Sequence, residues 1–318
     1  MQINNAIFKK LVSRENFKIS DLNKKVPNTK VSKNLTYMDI ITFHQYVQAK
    51  KNPINITPEE IEALSKETDG RFINCSLNLL LKKLNIPEAI RPKIRYFKPK
   101  TAGISGNFET SKQRINIDES LKKDTRLTLM MIRHELEHWK QLVDALRCDS
   151  TSEFMVTRNA FTLTLLKKKI KDVTPNNRAY VEDLLANRHQ DPDFIRYYKQ
   201  QKKLQRKVIK YLGKIDENSP EAKDCLRYIE EVNNFNRITS SKLNYQCSYM
   251  EYTPYVEEYS LGEKICYPNQ CAIRNFKRIN EAGLQKLIEL EKNNQETPSK
   301  DFKEIITQNP NPSISFFG

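Results

Sequence analysis

The sequence predicts an α+β protein, with a small sheet beside one long amphipathic helix and a largely helical C-terminal half. Two observations carry that expectation. Between residues 93 and 118 the pattern changes from helical spacing to short β-type runs, in which Lys93–Phe97, 107–109 and Arg114–Asp118 read as two or three short strands. Directly after them, Leu127, Met130, Met131, Leu142, Val143 and Leu146 form an apolar stripe at helical spacing, and further helical segments follow to about residue 235.

Taken in order, residues 1–34 are polar and lysine-rich without a firm period, which suits an arm with short helical pieces. Residues 35–50 can form a helix with Met38, Ile40, Ile41, Phe43 and Val47, and His44 there reads as a surface or core residue. Thr57-Pro58-Glu59-Glu60 is a capping box with proline at the first helical position, so a helix begins there and runs to about residue 67. Asp69-Gly70 is expected to close it, and the leucines of 74–84 make another helix. Pro87 and Pro92 then interrupt the chain, and Gly103 and Gly106 supply the turn between the first strands. For the long helix after the sheet, Asp124 or Thr125 can cap a shorter version and Asp118 a longer one. Helices are also expected over 151–171, 177–187, 193–213, from Ser219-Pro220-Glu221 to about 235, and over 275–292. The tail 293–318, rich in Asn, Pro and Ser, has the composition of a disordered or surface-draped segment. These segments divide the chain into an arm (1–55), a core with the sheet and long helix (56–150), a helical subdomain (151–292) and a tail.

The long helix carries His134-Glu135-Leu136-Glu137-His138. Residues four apart share a helix face, so two imidazole nitrogens can converge on one metal ion at about 2.0–2.1 Å each. Glu135 then stands beside the metal, where its carboxylate can take a proton from an activated water. The chain has only four histidines, so chance placement gives this pattern in well under ~1% of such sequences.

Composition narrows the alternatives. A hydrophobic content of 38% with 29% charged residues is that of a globular chain on the polar side. No apolar run nears the ~20 residues needed to span a bilayer, and no secretory leader is evident, so a cytoplasmic protein without membrane contact is expected. Its six cysteines are then expected as thiols, and no two form a C-x-x-C pair of the kind that holds structural zinc. The net charge of +15 raises nucleic acid as a partner. Its focus is the segment 193–213, with Arg196, Lys199, Lys202, Lys203, Arg206, Lys207 and Lys210. A solvated lysine face over an apolar stripe is the favoured reading of that segment, and no nucleic-acid module signature is present.

The glycine-bearing turn, the GNFE and RINID strands and the HELEHWKQ helix together resemble the zincin-type metallopeptidases, in a gluzincin-like form with Gln141 placed as in many bacterial and phage-encoded members. The likeness covers about residues 90–148, and 252–263 more loosely. It implies a sheet beside the active-site helix whose strand 115–118, or its neighbour, lines a cleft and pairs with peptide substrate. It also implies Zn²⁺ held by His134, His138 and a third residue from a second helix, where a glutamate is followed three positions later by a small residue. Glu257 and Ser260 match that spacing, with Pro254 placed just ahead of the helix. Glu258, Glu263, Glu153, Asp144 and His189 remain as alternatives, Asp144 standing where a longer form of the motif has its last histidine. Tyr252 or Tyr255 would steady an oxyanion, on nearness to Glu257 alone. The expectation is a zinc metallopeptidase acting on protein or peptide, with Glu135 as general base. The rivals are a metal-holding zincin-like domain without turnover and a basic helical nucleic-acid binder.

Overall fold

The computed structural model describes residues 45, 49, 54–99, 105–171, 173–234 and 248–264. Residues 1–44 with His44, most of the helix expected over 35–50, the helix expected over 275–292 and the tail from 293 lie outside the described residues.

Local signals start the first helices. Thr57 accepts from Glu60 N at 3.3 Å and Glu60 accepts from Thr57 N at 2.9 Å, so the capping box opens α1 (Pro58–Ser65) as its sequence requires. The helix α2 (Asp69–Lys83) begins earlier than its leucines suggest: Asp69 and Gly70 open it rather than close α1. Its Phe72, Ile73, Leu77, Leu80 and Leu81 all enter the core.

The sheet has three strands, β1 (Lys93–Phe97), β2 (Gly106–Glu109) and β3 (Arg114–Asp118), in the order β1-β3-β2. β3 is central, pairing parallel with β1 (Ile94↔Ile115) and antiparallel with β2 (Phe108↔Ile115). Alternation along β3 sends Ile115 and Ile117 into the core, both fully buried. Asn116 faces the other way and is satisfied there by Arg95 Nε at 2.8 Å and Asn107 Oδ1 at 2.6 Å. β2 is an edge strand among the described residues, so one row of its backbone groups is turned away from the sheet.

Of the three candidate caps, Asp124 serves the long helix, Thr125 is its first residue, and Asp118 caps a separate 3-10 turn instead of a longer version of the helix. Asp118 accepts from Ser120 N at 2.9 Å to start a 3-10 turn, and Asp124 accepts from Leu127 N at 2.9 Å to start α3 (Thr125–Arg147). Leu129, Ile132, Leu136, Trp139, Leu142 and Leu146 are each at most 2% exposed, so α3 is the axis of the core. Around it pack α4 (Asp149–Lys167), α6 (Pro192–Leu212), α7 (Pro220–Asn233) and α8 (Tyr249–Lys264), with α5 (Arg178–Asn187) joining α4 and α6 in a smaller satellite cluster. One continuous hydrophobic cluster joins Ile115 of the sheet, Leu136 of α3, Met155 of α4, Val208 of α6 and Tyr228 of α7. Each such aliphatic or aromatic side chain contributes about 1.5–3 kcal/mol of burial. The architecture is therefore α+β, mostly helical with a small mixed sheet. Among the described residues no helix is long and apolar enough to cross a membrane.

Candidate metal centre

Two helices build the site. On α3, His134, His138 and Gln141 lie at i, i+4 and i+7, one face of the helix. On α8, Glu251, Tyr255, Glu258 and Gly262 likewise share a face. Gly262 meets Met130, Glu258 meets His134, and Tyr249 meets Gln141, so the two helices run antiparallel. Close approach is set by Gly262, where a Cβ would stand 3.0 Å from Met130 Cε. Ser260, the small residue expected in this role, instead accepts from Ile54 N at 3.4 Å.

Glu251 is the carboxylate brought to the histidines. One of its oxygens is 3.4 Å from His134 Nε2 and the other is 3.4 Å from His138 Nε2. One ligand atom from each of the three residues lies within 4.8 Å of the others. Glu251 is 2% exposed and His134 8%, so this is a buried His-His-Glu group that could hold a metal ion. Two imidazoles and one carboxylate, with a cavity on the open side, is a donor set suited to a catalytic rather than a sealed structural site.

Glu257 is placed elsewhere. Its carboxylate pairs with the guanidinium of Arg133, which is 1% exposed and also donates to Glu137 at 3.0 Å. The difference arises from where the helix begins. Pro254 lies inside α8, which starts at Tyr249, so Glu251 already belongs to the helix and Glu257 falls on a different face. Of the alternatives, Glu258 reaches the site from behind, accepting from His134 Nδ1 at 3.0 Å. Asp144 pairs with Arg147 at 2.8 Å, Glu153 with Lys202 at 2.7 Å, and His189 is exposed in a 3-10 turn. The side chain of Glu263 lies outside the described residues. Tyr255 stands with its ring 4.9 Å from that of His134 and lines the cavity, whereas Tyr252 does not line it.

Charge is concentrated here. Burial opposes the protonation of His134, yet the hydrogen bonds it donates to Glu251 and Glu258 hold its pKa well above the ordinary 6.5. Burial lowers that of His138, with Glu251 opposing. Burial pushes the Glu135 carboxyl up to about 8, against the pull of His134 and with the help of Glu251 and Glu258. Glu135 Oε2 is buried with no hydrogen-bond partner among the described residues. Such a carboxyl, facing a cavity and able to gain and lose a proton near neutrality, suits acid–base work.

The cavity, of about 680 Å³, is walled by Gly106, Asn107 and Phe108 of β2 on one side and by Arg158 of α4 and Tyr228 of α7 on another. The neighbour of the central strand, not the central strand itself, therefore faces the cleft. Gly106 is required by that approach: a Cβ there would stand 2.9 Å from Glu135 Oε1 and 3.2 Å from its Cγ. Neither Glu251 nor the Arg158–Tyr228 wall was legible in advance. The only sequence signal for Glu251 is its i, i+4, i+7 relation to Tyr255 and Glu258, which a proline break hides. No protein-family model, curated protein or solved structure matches the chain.

Proposed function

We propose that the protein is a zinc metallopeptidase of the zincin type, with Zn²⁺ held by His134, His138 and Glu251. The observation that carries this reading is the convergence of two Nε2 atoms on one buried carboxylate, with Glu135 beside them at a cavity. Two histidines with a glutamate are a recurrent ligand set for catalytic zinc. Bound there, the metal would act as a Lewis acid on a carbonyl oxygen and lower the pKa of a water. Glu135 accepts the proton of the attacking water and delivers it to the leaving amine, a role supported by its elevated pKa and its place on the cavity wall. Glu258 holds the ring of His134 through Nδ1, leaving Nε2 for the metal. To Tyr255, whose ring lies beside that of His134 on the cavity wall, we assign donation to a developing oxyanion. Among the described residues β2 is an edge strand with one row of backbone groups turned away from the sheet, and its Gly106, Asn107 and Phe108 line the cavity, which suits an extended peptide laid against it.

Replacing Glu135 with Gln tests the reading. Zinc content should stay unchanged while hydrolysis of a peptide library falls by about 10²–10⁴. Full activity in Glu135→Gln would falsify the mechanism. Bound zinc with no turnover by the wild-type protein would favour a metal-holding domain without peptidase activity.

A further inference from the structure

Gln141 touches both helices of the metal centre. Its Nε2 donates to the backbone carbonyls of Tyr249 at 3.0 Å and Met250 at 3.1 Å, and its Oε1 lies 3.3 Å from His138 Nδ1. The Met250 carbonyl needs a donor from outside the helix. In an uninterrupted helix it would accept from the N–H four residues on, but that residue is Pro254, which has none. The same two residues are held from their other side, since the Glu231 carboxylate accepts from Tyr249 N and Met250 N at 2.7 Å each.

The chemistry of these contacts fixes a sequence of consequences. A carbonyl only accepts, so the NH₂ of Gln141 must face α8. Its oxygen is thereby turned to His138. An acceptor at Nδ1 requires that Nδ1 carry the hydrogen, which leaves the lone pair on Nε2, the atom facing Glu251 at 3.4 Å. His134 needs no such arrangement, because its Nδ1 partner Glu258 is a carboxylate and accepts in either orientation.

We propose that Gln141 is a positioning residue that takes up the carbonyl freed by Pro254 and, through the fixed sense of its amide, holds His138 as the Nδ1–H tautomer with Nε2 open to metal. The proline in the third-ligand helix and the second histidine of the motif are thus one device. Its relevance to metal rests on the metal-centre reading, while the tautomer itself does not.

The test uses the full chain, with ¹⁵N-labelled histidine for NMR of the metal-free protein and Co²⁺ or Zn²⁺ affinity by chelator competition. Wild type should show His138 as a single Nδ1–H form. In Gln141→Leu the ring should become a mixture of tautomers, and metal affinity should fall about 10–100-fold. Gln141→Glu alone should also weaken binding, because its oxygens face the carbonyls. Adding Pro254→Ala gives Met250 an intrahelical donor and removes the need for a side-chain amide at that carbonyl. Q141L/P254A should regain thermal stability but not the tautomer, which separates positioning from packing. An Nε2–H form in wild type, or an unchanged ring in Gln141→Leu or Q141L/P254A, overturns the proposal. If Gln141→Leu does not fold, wild type and Q141L/P254A decide. A wild-type chain that binds no metal, with His138 held as Nδ1–H and released in Gln141→Leu, would remove the metal reading and leave the positioning role intact.

Discussion

Under the proposed function, metal binding at His134 has to displace a proton. Glu251 and Glu258 overcome the cost of burial and keep that imidazole charged above pH 6.5 in the metal-free chain. Neutral imidazole is the ligand, so each ion bound below the raised pKa releases one proton from this ring. Zinc affinity should therefore fall about tenfold for each pH unit below that pKa and level off above it. Chelator competition across a pH series would read this, and a flat profile through pH 6.5 would contradict the placement of His134 between two carboxylates. Glu257 carries a different expectation. Replacing it with Gln removes a charged partner from the buried Arg133 and should cost about 1–3 kcal/mol of stability with zinc uptake unchanged. Thermal unfolding with and without zinc separates the two effects.

At the scale of elements, β2 and α3 approach so closely that only glycine suits residue 106. An alanine Cβ there would sit 2.9 Å from Glu135 Oε1, and the carboxylate is the part able to yield. Gly106→Ala should keep zinc and the fold but move Glu135 out of line, with turnover falling about a hundredfold. Unchanged turnover would mean that Glu135 is not held by the strand. Much at this scale was legible in the sequence. Thr57, Asp124 and Ser219 announce their helices by capping chemistry that acts within three residues. Ile115 and Ile117 announce β3 by alternation, and His134 and His138 share a helix face by spacing alone. What failed was the start of α8. Pro254 reads locally as a helix boundary, and the groups that allow the helix to pass through it are Gln141, more than a hundred residues earlier, and Glu231. With the start misplaced, Glu251 was left outside the helix and Glu257 took its role. Long-range satisfaction of a backbone carbonyl has no local signature.

For the whole molecule, the halves on either side of residue 150 share one hydrophobic cluster and one cavity. Met155, Val208 and Tyr228 pack with Ile115 and Leu136, and Arg158 faces the same space as Gly106. Residues 54–150 alone would expose that surface, so the fragment should not fold, and calorimetry of the full chain should show a single transition for the described region. A folded fragment would contradict the shared core. The basic face of α6 is separate from the cavity, with Lys199, Lys203, Arg206, Lys207 and Lys210 exposed. Reversing Lys203 and Lys207 to Glu should therefore leave the proposed peptide hydrolysis intact.

The most direct measurement is elemental analysis of metal per chain in wild type, Glu251→Gln and Glu257→Gln, purified without added metal. A His-His-Glu centre at residues 134, 138 and 251 requires about one zinc in wild type and in Glu257→Gln, and little or none in Glu251→Gln. Zinc retained in Glu251→Gln and lost in Glu257→Gln would contradict it, and no zinc in any of the three would remove the metal centre altogether.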